Sequence, residues 1–280
     1  MTVFVSADEL NERIHSGQKQ TILAALWEPQ EGKAWSKFQS EHIPTAMFCD
    51  PATALAGMPG RAYGRNPHPP VDVLSAHVAQ WGLQEGRPVY IYDTGVGLFA
   101  GRAWWTLRWL GIEDVFIVDG GFRAWDSKGF DTVAGPGNVN VHAPLESSPG
   151  ALPMVEIDQV REFSGLLVDA RETSRFHGRR ELMDLKAGHI PGAVNIPAFD
   201  LFNEESRTVL EIDALRDRFA AVGLTQNTEP ADVFVYSGSG NHSSLLLAAL
   251  AHAGLPVAAH YVAGWSQWSA DPRNPVARNV

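Results

Sequence analysis

The chain has 280 residues, with 22 Lys+Arg against 32 Asp+Glu and a formal net charge of −10. A content of 45% hydrophobic and 19% charged residues excludes a disordered chain, and the length fits two domains. Net acidity argues against a general binder of nucleic acid or anionic membrane, both of which want clustered Lys and Arg. A single cysteine permits neither an internal disulfide nor a thiolate metal cluster, which fits a reducing cytoplasm. Residues 1–9 hold no basic region ahead of an apolar core, so no signal peptide is expected. No apolar run approaches the ~20 residues of a membrane span. The expectation is a cytoplasmic protein, monomer or homodimer, with no nucleic-acid or membrane partner.

Taken in order, the chain repeats its signals. His42-Ile43-Pro44 returns as His189-Ile190-Pro191, an offset of 147. The run Val89–Gly97 returns at Val233–Gly240, with Tyr92 and Tyr236 separated by 144. Gly121-Phe122-Arg123-Ala124-Trp125 returns as Gly264-Trp265-Ser266-Gln267-Trp268, an offset of 143. Three ordered matches at nearly constant offset indicate a duplicated domain. The boundaries read as 1–138 for the first copy, 139–153 for a linker and 154–280 for the second. The seam from Gly135 to Pro153 is rich in Pro, Gly and Ser and has no apolar periodicity.

Within each copy, strands alternate with helices. Val89–Tyr92 is a predicted strand, Gly101–Leu110 a helix stopped by Gly111, and Val115–Val118 a strand. In the second copy Leu166–Ala170, Val233–Tyr236 and Ala259–Val262 are strands. Ile212–Val222 is a helix stopped at Gly223, and Ser243–Ala253 a helix stopped at Gly254. The alternation specifies an α/β fold of open, mostly parallel sheets flanked by helices.

Ligands of such sheets bind beyond the carboxyl ends of the strands, where loops feed helix N-termini. Ser237-Gly238-Ser239-Gly240-Asn241-His242 occupies that place. Its glycines let successive N–H groups turn toward one point, and the helix dipole adds to the field. Such a cradle suits a phosphate, an oxyanion or a thiolate, and a ligand-free glycine turn remains the alternative.

These residues resemble the tandem-domain rhodanese family of thiosulfate and 3-mercaptopyruvate sulfurtransferases, over nearly the whole chain. The carriers are Asp169-Ala170-Arg171, Arg175-Phe176-His177-Gly178, Ala187–Pro197, the loop 237–242 and Gly264-Trp265. The first copy resembles the family's non-catalytic N-terminal domain through His42-Ile43-Pro44, Tyr92-Asp93-Thr94-Gly95 and Asp119-Gly120-Gly121-Phe122. The resemblance implies two rhodanese-like domains that move a sulfane sulfur from a small anionic donor to cyanide or a thiol. It implies a cysteine persulfide at the first loop position and no cofactor. Here that position is Ser237, and a hydroxyl forms no persulfide. Either the chain is an engineered, inactive Cys→Ser form, or the protein has lost or changed this activity; the intact remainder of the loop favours the first.

The loop residues Gly238, Ser239, Gly240, Asn241 and His242 are expected to bind the donor, and Gly238-Ser239-Gly240 resembles the 3-mercaptopyruvate pattern. Arg175 matches the arginine that grips the donor's anionic end; its alternative is a loop arginine paired with Glu172 or Glu181. A second donor arginine has no clear place, Arg179 and Arg180 being near. Some relatives use a Ser, His and Asp relay across the domain interface, for which Ser239, His68 and Asp50 are candidates. A loop histidine and a capping aspartate are the plainer reading of the last two. His242 acting as base for Ser237 would make a serine hydrolase, but no Gly-x-Ser-x-Gly frames that serine. A phosphatase would need a loop arginine, and an anion- or partner-binding module without chemistry is the non-enzyme alternative. Cys49 reads as a buried structural thiol, and Trp104, Trp105 and Trp109 as packing on one helix. No metal-ligand spacing is present.

Overall fold

The computed structural model describes residues 2–138, 145 and 147–278. The first half contains β1 (Phe4–Val5), α1 (Ala7–His15), β2 (Thr21–Ala25), α2 (Lys33–Ser40), β3 (Met47–Cys49) and α3 (Pro51–Ala54). It continues with α4 (Val71–Gln80), β4 (Val89–Tyr92), α5 (Leu98–Trp109), β5 (Val115–Val118) and α6 (Gly121–Ser127). The second half contains α7 (Ile157–Glu162), β6 (Leu166–Asp169), α8 (Thr173–Phe176), β7 (Val194–Asn195) and α9 (Ile212–Ala220). It closes with β8 (Val233–Tyr236), α10 (Asn241–His252), β9 (Ala259–Tyr261) and α11 (Gly264–Trp268). The two halves form separate parallel sheets, ordered β1-β5-β4-β2-β3 and β7-β6-β8-β9. Sheets covered on both faces need strands that are apolar throughout, and β4 and β8 are buried at every position.

The repeated signals perform the same work twice. The ring of His42 bonds the Phe38 carbonyl at 2.8 Å, and that of His189 bonds the Phe176 carbonyl at 2.7 Å. The Tyr92 hydroxyl accepts from the Ile43 N–H at 3.3 Å, and the Tyr236 hydroxyl from the Ile190 N–H at 3.1 Å. Each His-Ile-Pro segment is thus tied to the central strand of its own sheet.

Two helices are longer at their starts than the spacing predicts. α5 begins at Leu98 and α10 at Asn241, because Gly97 and Gly240 take left-handed conformations that let each helix begin directly after its loop. These two helices join the halves. Both are buried on nearly every face, as helices enclosed between two sheets must be. They approach so closely at Gly101 that a Cβ there would lie 2.8 Å from the Leu245 Cα. Since backbone cannot yield as a side chain tip does, Gly101→Val is expected to cost at least about 2 kcal/mol. Urea unfolding would show this, and a midpoint equal to that of the unsubstituted protein would contradict the packing described.

Of the linker 139–153, residues 139–144 and 146 lie outside the described residues. Its later part is fastened down: the Ser148 N–H bonds the Leu110 carbonyl, Gly150 and Ala151 bond that of Trp109, and Pro153 accepts from His260. Among the described residues, no helix is long and apolar enough to cross a membrane. Cys49 sits buried at the end of β3, where burial and the neighbouring Asp50 push its thiol well above the ordinary range.

Candidate active site

The loop from Ser237 to Gly240 joins β8 to α10 and is buried except at Ser239. Neighbouring backbone fixes its path, with Trp265 N–H bonding the Ser237 carbonyl at 2.8 Å and Ser266 N–H that of Gly238 at 2.9 Å. This requires glycine at 264, where φ is +58° and a Cβ would lie 2.3 Å from the Ser237 carbonyl oxygen.

The first half shows what the loop geometry attracts. Asp93 stands after β4 where Ser237 stands after β8. Its Oδ1 accepts the N–H groups of Gly95 and Gly97, both at 2.9 Å, and its Oδ2 accepts that of Phe99 at 3.1 Å. One carboxylate therefore fills the first cradle from within. In the second, the Ser237 hydroxyl accepts from the Gly240 N–H at 3.2 Å and carries no charge.

A cleft of about 370 Å³ opens between the halves beside this loop. Arg65, Asn66, Leu98 and Phe99 line it from the first half, and Arg175, Gly238, Ser239, Asn241 and His242 from the second. A Cβ on Gly238 would meet Arg65 Nη2 at 3.1 Å and Arg175 Nη1 at 3.4 Å, so two guanidinium groups face the loop. Beside Arg175 at Gly238 stands Arg65, contributed by the other half. Arg180 lines a smaller cleft of about 250 Å³ with Arg171 and Arg175. Arg175 Nη2 also bonds Glu181 at 3.0 Å, the pairing that sequence left as its alternative, and Asp184 Oδ2 at 3.0 Å. Asp184 pairs with Arg65 through its other oxygen, so one carboxylate bridges both arginines. Burial, with the neighbouring Glu181, lifts the Asp184 carboxyl above its usual range in spite of Arg65 and Arg175.

Beneath the cleft, Asp169 and Arg171 are both fully buried and paired, with Arg171 Nη2 at 2.6 Å from Asp169 Oδ2. Arg171 also donates to the Gly188 carbonyl at 2.7 Å and lies 4.7 Å over the Trp265 ring.

Ser239, His68 and Asp50 are not brought into one hydrogen-bonded relay. Ser239 accepts from Asn66 Nδ2 at 3.0 Å, and Asp50 Oδ1 caps α3 by accepting from the Ala52 N–H at 2.9 Å. His68 packs against Trp109, with ring centroids 4.1 Å apart. His242 lies edge-on to Phe199 at 5.1 Å and lines the cleft, while the Ser237 hydroxyl pairs with that of Ser243, at 3.0 Å. Ser243 is in turn 2.6 Å from His260 Nε2. Trp104 and Trp105 are buried in α5, and Trp105 meets the His260 ring edge-on at 4.5 Å. Among the described residues no group of three or more His, Cys, Asp or Glu could hold a metal ion.

The histidines make the fold sensitive to acid. Burial, helped by Arg102, lowers His68 from 6.5 to about 3, and burial with Arg175 lowers His242 to about 4. The unfolded chain therefore binds more protons, and stability present above about pH 6.5 is lost as pH falls from there toward these values. Asp119 opposes this, since burial raises it from 3.8 to about 6 and its destabilising charge develops as pH rises through that interval. Between pH 7.5 and 6 the histidines dominate, so the urea midpoint is expected to fall across that interval. The slope should flatten in a His68→Asn, His242→Gln protein, and a slope unchanged by the double substitution would count against these assignments.

Comparison with known proteins agrees with this architecture. The family described as Rhodanese-like domain matches residues 6–128 and 154–271. The Pseudomonas aeruginosa protein named "Probable 3-mercaptopyruvate sulfurtransferase" is 35% identical over 259 residues, covering 90% of this chain and 89% of that one. The 3-mercaptopyruvate sulfurtransferase of Escherichia coli K12 is 30% identical over 285 residues, covering 98% of each. The crystal structure of SseA from Escherichia coli superposes with a TM-score of 0.80 at 28% identity, covering 95% of this chain and 100% of that one. The 3-mercaptopyruvate sulfurtransferase structure from Leishmania major has a TM-score of 0.87 at 22% identity, covering 98% of this chain and 76% of that one, and supports the fold.

Proposed function

The chain belongs to the rhodanese family, and on that footing we propose that its interdomain cleft is a sulfurtransferase site in which Ser237 holds the place of the sulfur-carrying cysteine. The donor is a small anion, 3-mercaptopyruvate or thiosulfate, and the acceptor is cyanide or a thiol. The observation that carries this reading is the pair of arginines, Arg65 and Arg175, facing Gly238 from opposite halves beside a loop built for negative charge. Arg175 and Arg65 hold the donor's anionic end, and Gly238, Ser239, Gly240, Asn241 and His242 form the wall against which its sulfur lies.

With cysteine at 237, the thiolate attacks the thiol sulfur of 3-mercaptopyruvate or the outer sulfur of thiosulfate. The new S–S bond forms as the donor's bond to that sulfur breaks, leaving pyruvate after protonation or leaving sulfite. Cyanide then takes the outer sulfur as thiocyanate and returns the thiolate. With serine at 237 the first step has no sulfur nucleophile, and the chain as it stands is silent. The test is thiocyanate formation from either donor by the chain itself and by Ser237→Cys. Activity only in the cysteine form supports the reading, and an inactive, folded cysteine form overturns it.

A second reading, a module that binds an anion or a protein partner without chemistry, is favoured by the serine alone. Calorimetry separates the two, since a donor cleft binds 3-mercaptopyruvate or thiosulfate through Arg65 and Arg175. Arg175→Ala is expected to weaken that binding by about tenfold or more, the scale of one lost charge-assisted contact. Asp184→Asn should strengthen it, because the bridging carboxylate then no longer competes for both arginines.

A further inference from the structure

The hydroxyl at position 237 is the end of a buried chain that the loop motif does not announce. Ser237 Oγ lies 3.0 Å from Ser243 Oγ, and Ser243 Oγ lies 2.6 Å from His260 Nε2. All three residues are sealed from solvent. Ser243 belongs to the first turn of α10 and His260 to β9, so the chain ties the loop to both of these elements.

The orphan atom of this chain indicates which way its protons point. His260 Nδ1 is buried and has no partner among the described residues. A buried lone pair is less costly to leave unmet than a buried N–H, so the neutral ring carries its proton on Nε2 and donates to Ser243. The Ser243 hydroxyl then donates to position 237, which already receives the Gly240 N–H. Two donors converging on one side-chain atom suit an anion better than a neutral hydroxyl, whose own proton is left without an acceptor. Positive charge surrounds the same point. Arg102 Nη1 is buried and unpartnered where a Cβ on Gly240 would lie 2.2 Å away, and Arg65 and Arg175 face Gly238. The titratable groups around His260 are Arg102 and His68, both from the first half, and His242 flanks the loop on the cleft side.

We propose that Ser243, oriented by His260, is the positioning residue that holds the side chain at position 237 in its anionic form. Resting on the sulfurtransferase reading of the cleft, this assigns to β9 and α10 a part in preparing the nucleophile. His260 acts through Ser243 and remains neutral; burial, reinforced by Arg102 and His68, keeps its pKa well below the usual range.

The test is the thiol pKa at position 237, read from the pH dependence of ultraviolet thiolate absorbance in the full-length Ser237→Cys protein after subtraction of the unsubstituted chain. Cys49 is present in both proteins and cancels in the difference. The thiol is expected to ionise below the ordinary value of about 8.5. Adding Ser243→Ala should raise it by about one unit or more, the scale of a lost hydrogen bond to a charged atom. Adding Ser243→Thr, which keeps the hydroxyl, should leave it within about half a unit of the Ser237→Cys value. His260→Leu should act in the same direction as Ser243→Ala, and His260→Gln, which retains a side-chain N–H, less strongly. A thiol pKa unmoved by both Ser243→Ala and His260→Leu overturns the proposal. Thiocyanate formation is scored separately: transfer without a pKa shift removes this inference alone, and a pKa shift without transfer removes the sulfurtransferase reading alone.

Discussion

Ser237→Cys is expected to raise thiocyanate formation by at least about 10³-fold over the unsubstituted chain. The size follows from chemistry and not from affinity. Loss of a covalent nucleophile removes the step that the rest of a site serves, and the residual rate then comes only from binding and polar stabilisation. The cleft, both arginines and the loop path are unchanged by exchanging oxygen for sulfur at one buried atom. Sulfur is larger than oxygen, and the Ser237 side chain is already enclosed, so a small cost in stability accompanies the gain. The outcome is read by the rate with each donor at equal concentration. A higher kcat/KM for 3-mercaptopyruvate than for thiosulfate supports the Gly238-Ser239-Gly240 pattern as its specificity signal. Activity abolished again by Arg175→Ala would tie the gain to the cleft described here, whereas activity indifferent to Arg175 would place the chemistry elsewhere.

How far such a site can be read from sequence depends on where its contacts come from. The duplication was legible because each half needs the same fastenings, His42 to Phe38 and His189 to Phe176, at the same point in its fold. The loop was legible because local backbone geometry demands its glycines. Arg65 and Asn66 were not, since they reach the loop only through the packing of α5 on α10, a relation between segments more than 130 residues apart. His68 lay in the right segment but packs against Trp109, and its neighbour Asn66 reaches Ser239 instead. The pairing of Ser243 with His260 was hidden for a similar reason. His260 falls in an apolar strand, where a histidine reads as core, and only the register of β8 with β9 brings it under the loop.

Asp169→Ala is expected to be the most damaging single substitution for stability, with a loss of about 3–5 kcal/mol. The carboxylate stands at the carboxyl end of β6 and holds the buried Arg171 through its backbone N–H, Nε and Nη2 at 2.6–3.0 Å. Burial alone would lower the guanidinium pKa, yet the charge and hydrogen bonds of Asp169 outweigh it and hold the value above normal. Removing Asp169 leaves a buried cation with the Gly188 carbonyl, the Trp265 face and a Glu181 oxygen 3.8 Å away. None of these replaces a bidentate counter-ion. For a chain of this size each kcal/mol moves Tm by roughly 2–4 °C, so calorimetry should show a decrease of about 10 °C. The interpretation turns on a second protein, Asp169→Leu with Arg171→Met. If the loss comes from an unpaired buried charge, replacing both partners by apolar residues should recover most of it, because the intact pair contributes little net stability over a well-packed apolar isostere. If the double substitution is as unstable as Asp169→Ala, the lost contacts of the backbone around Asp169 and Arg171 account for the effect instead. A single substitution costing less than about 1 kcal/mol would show that Glu181 closes on Arg171 and takes over the pairing.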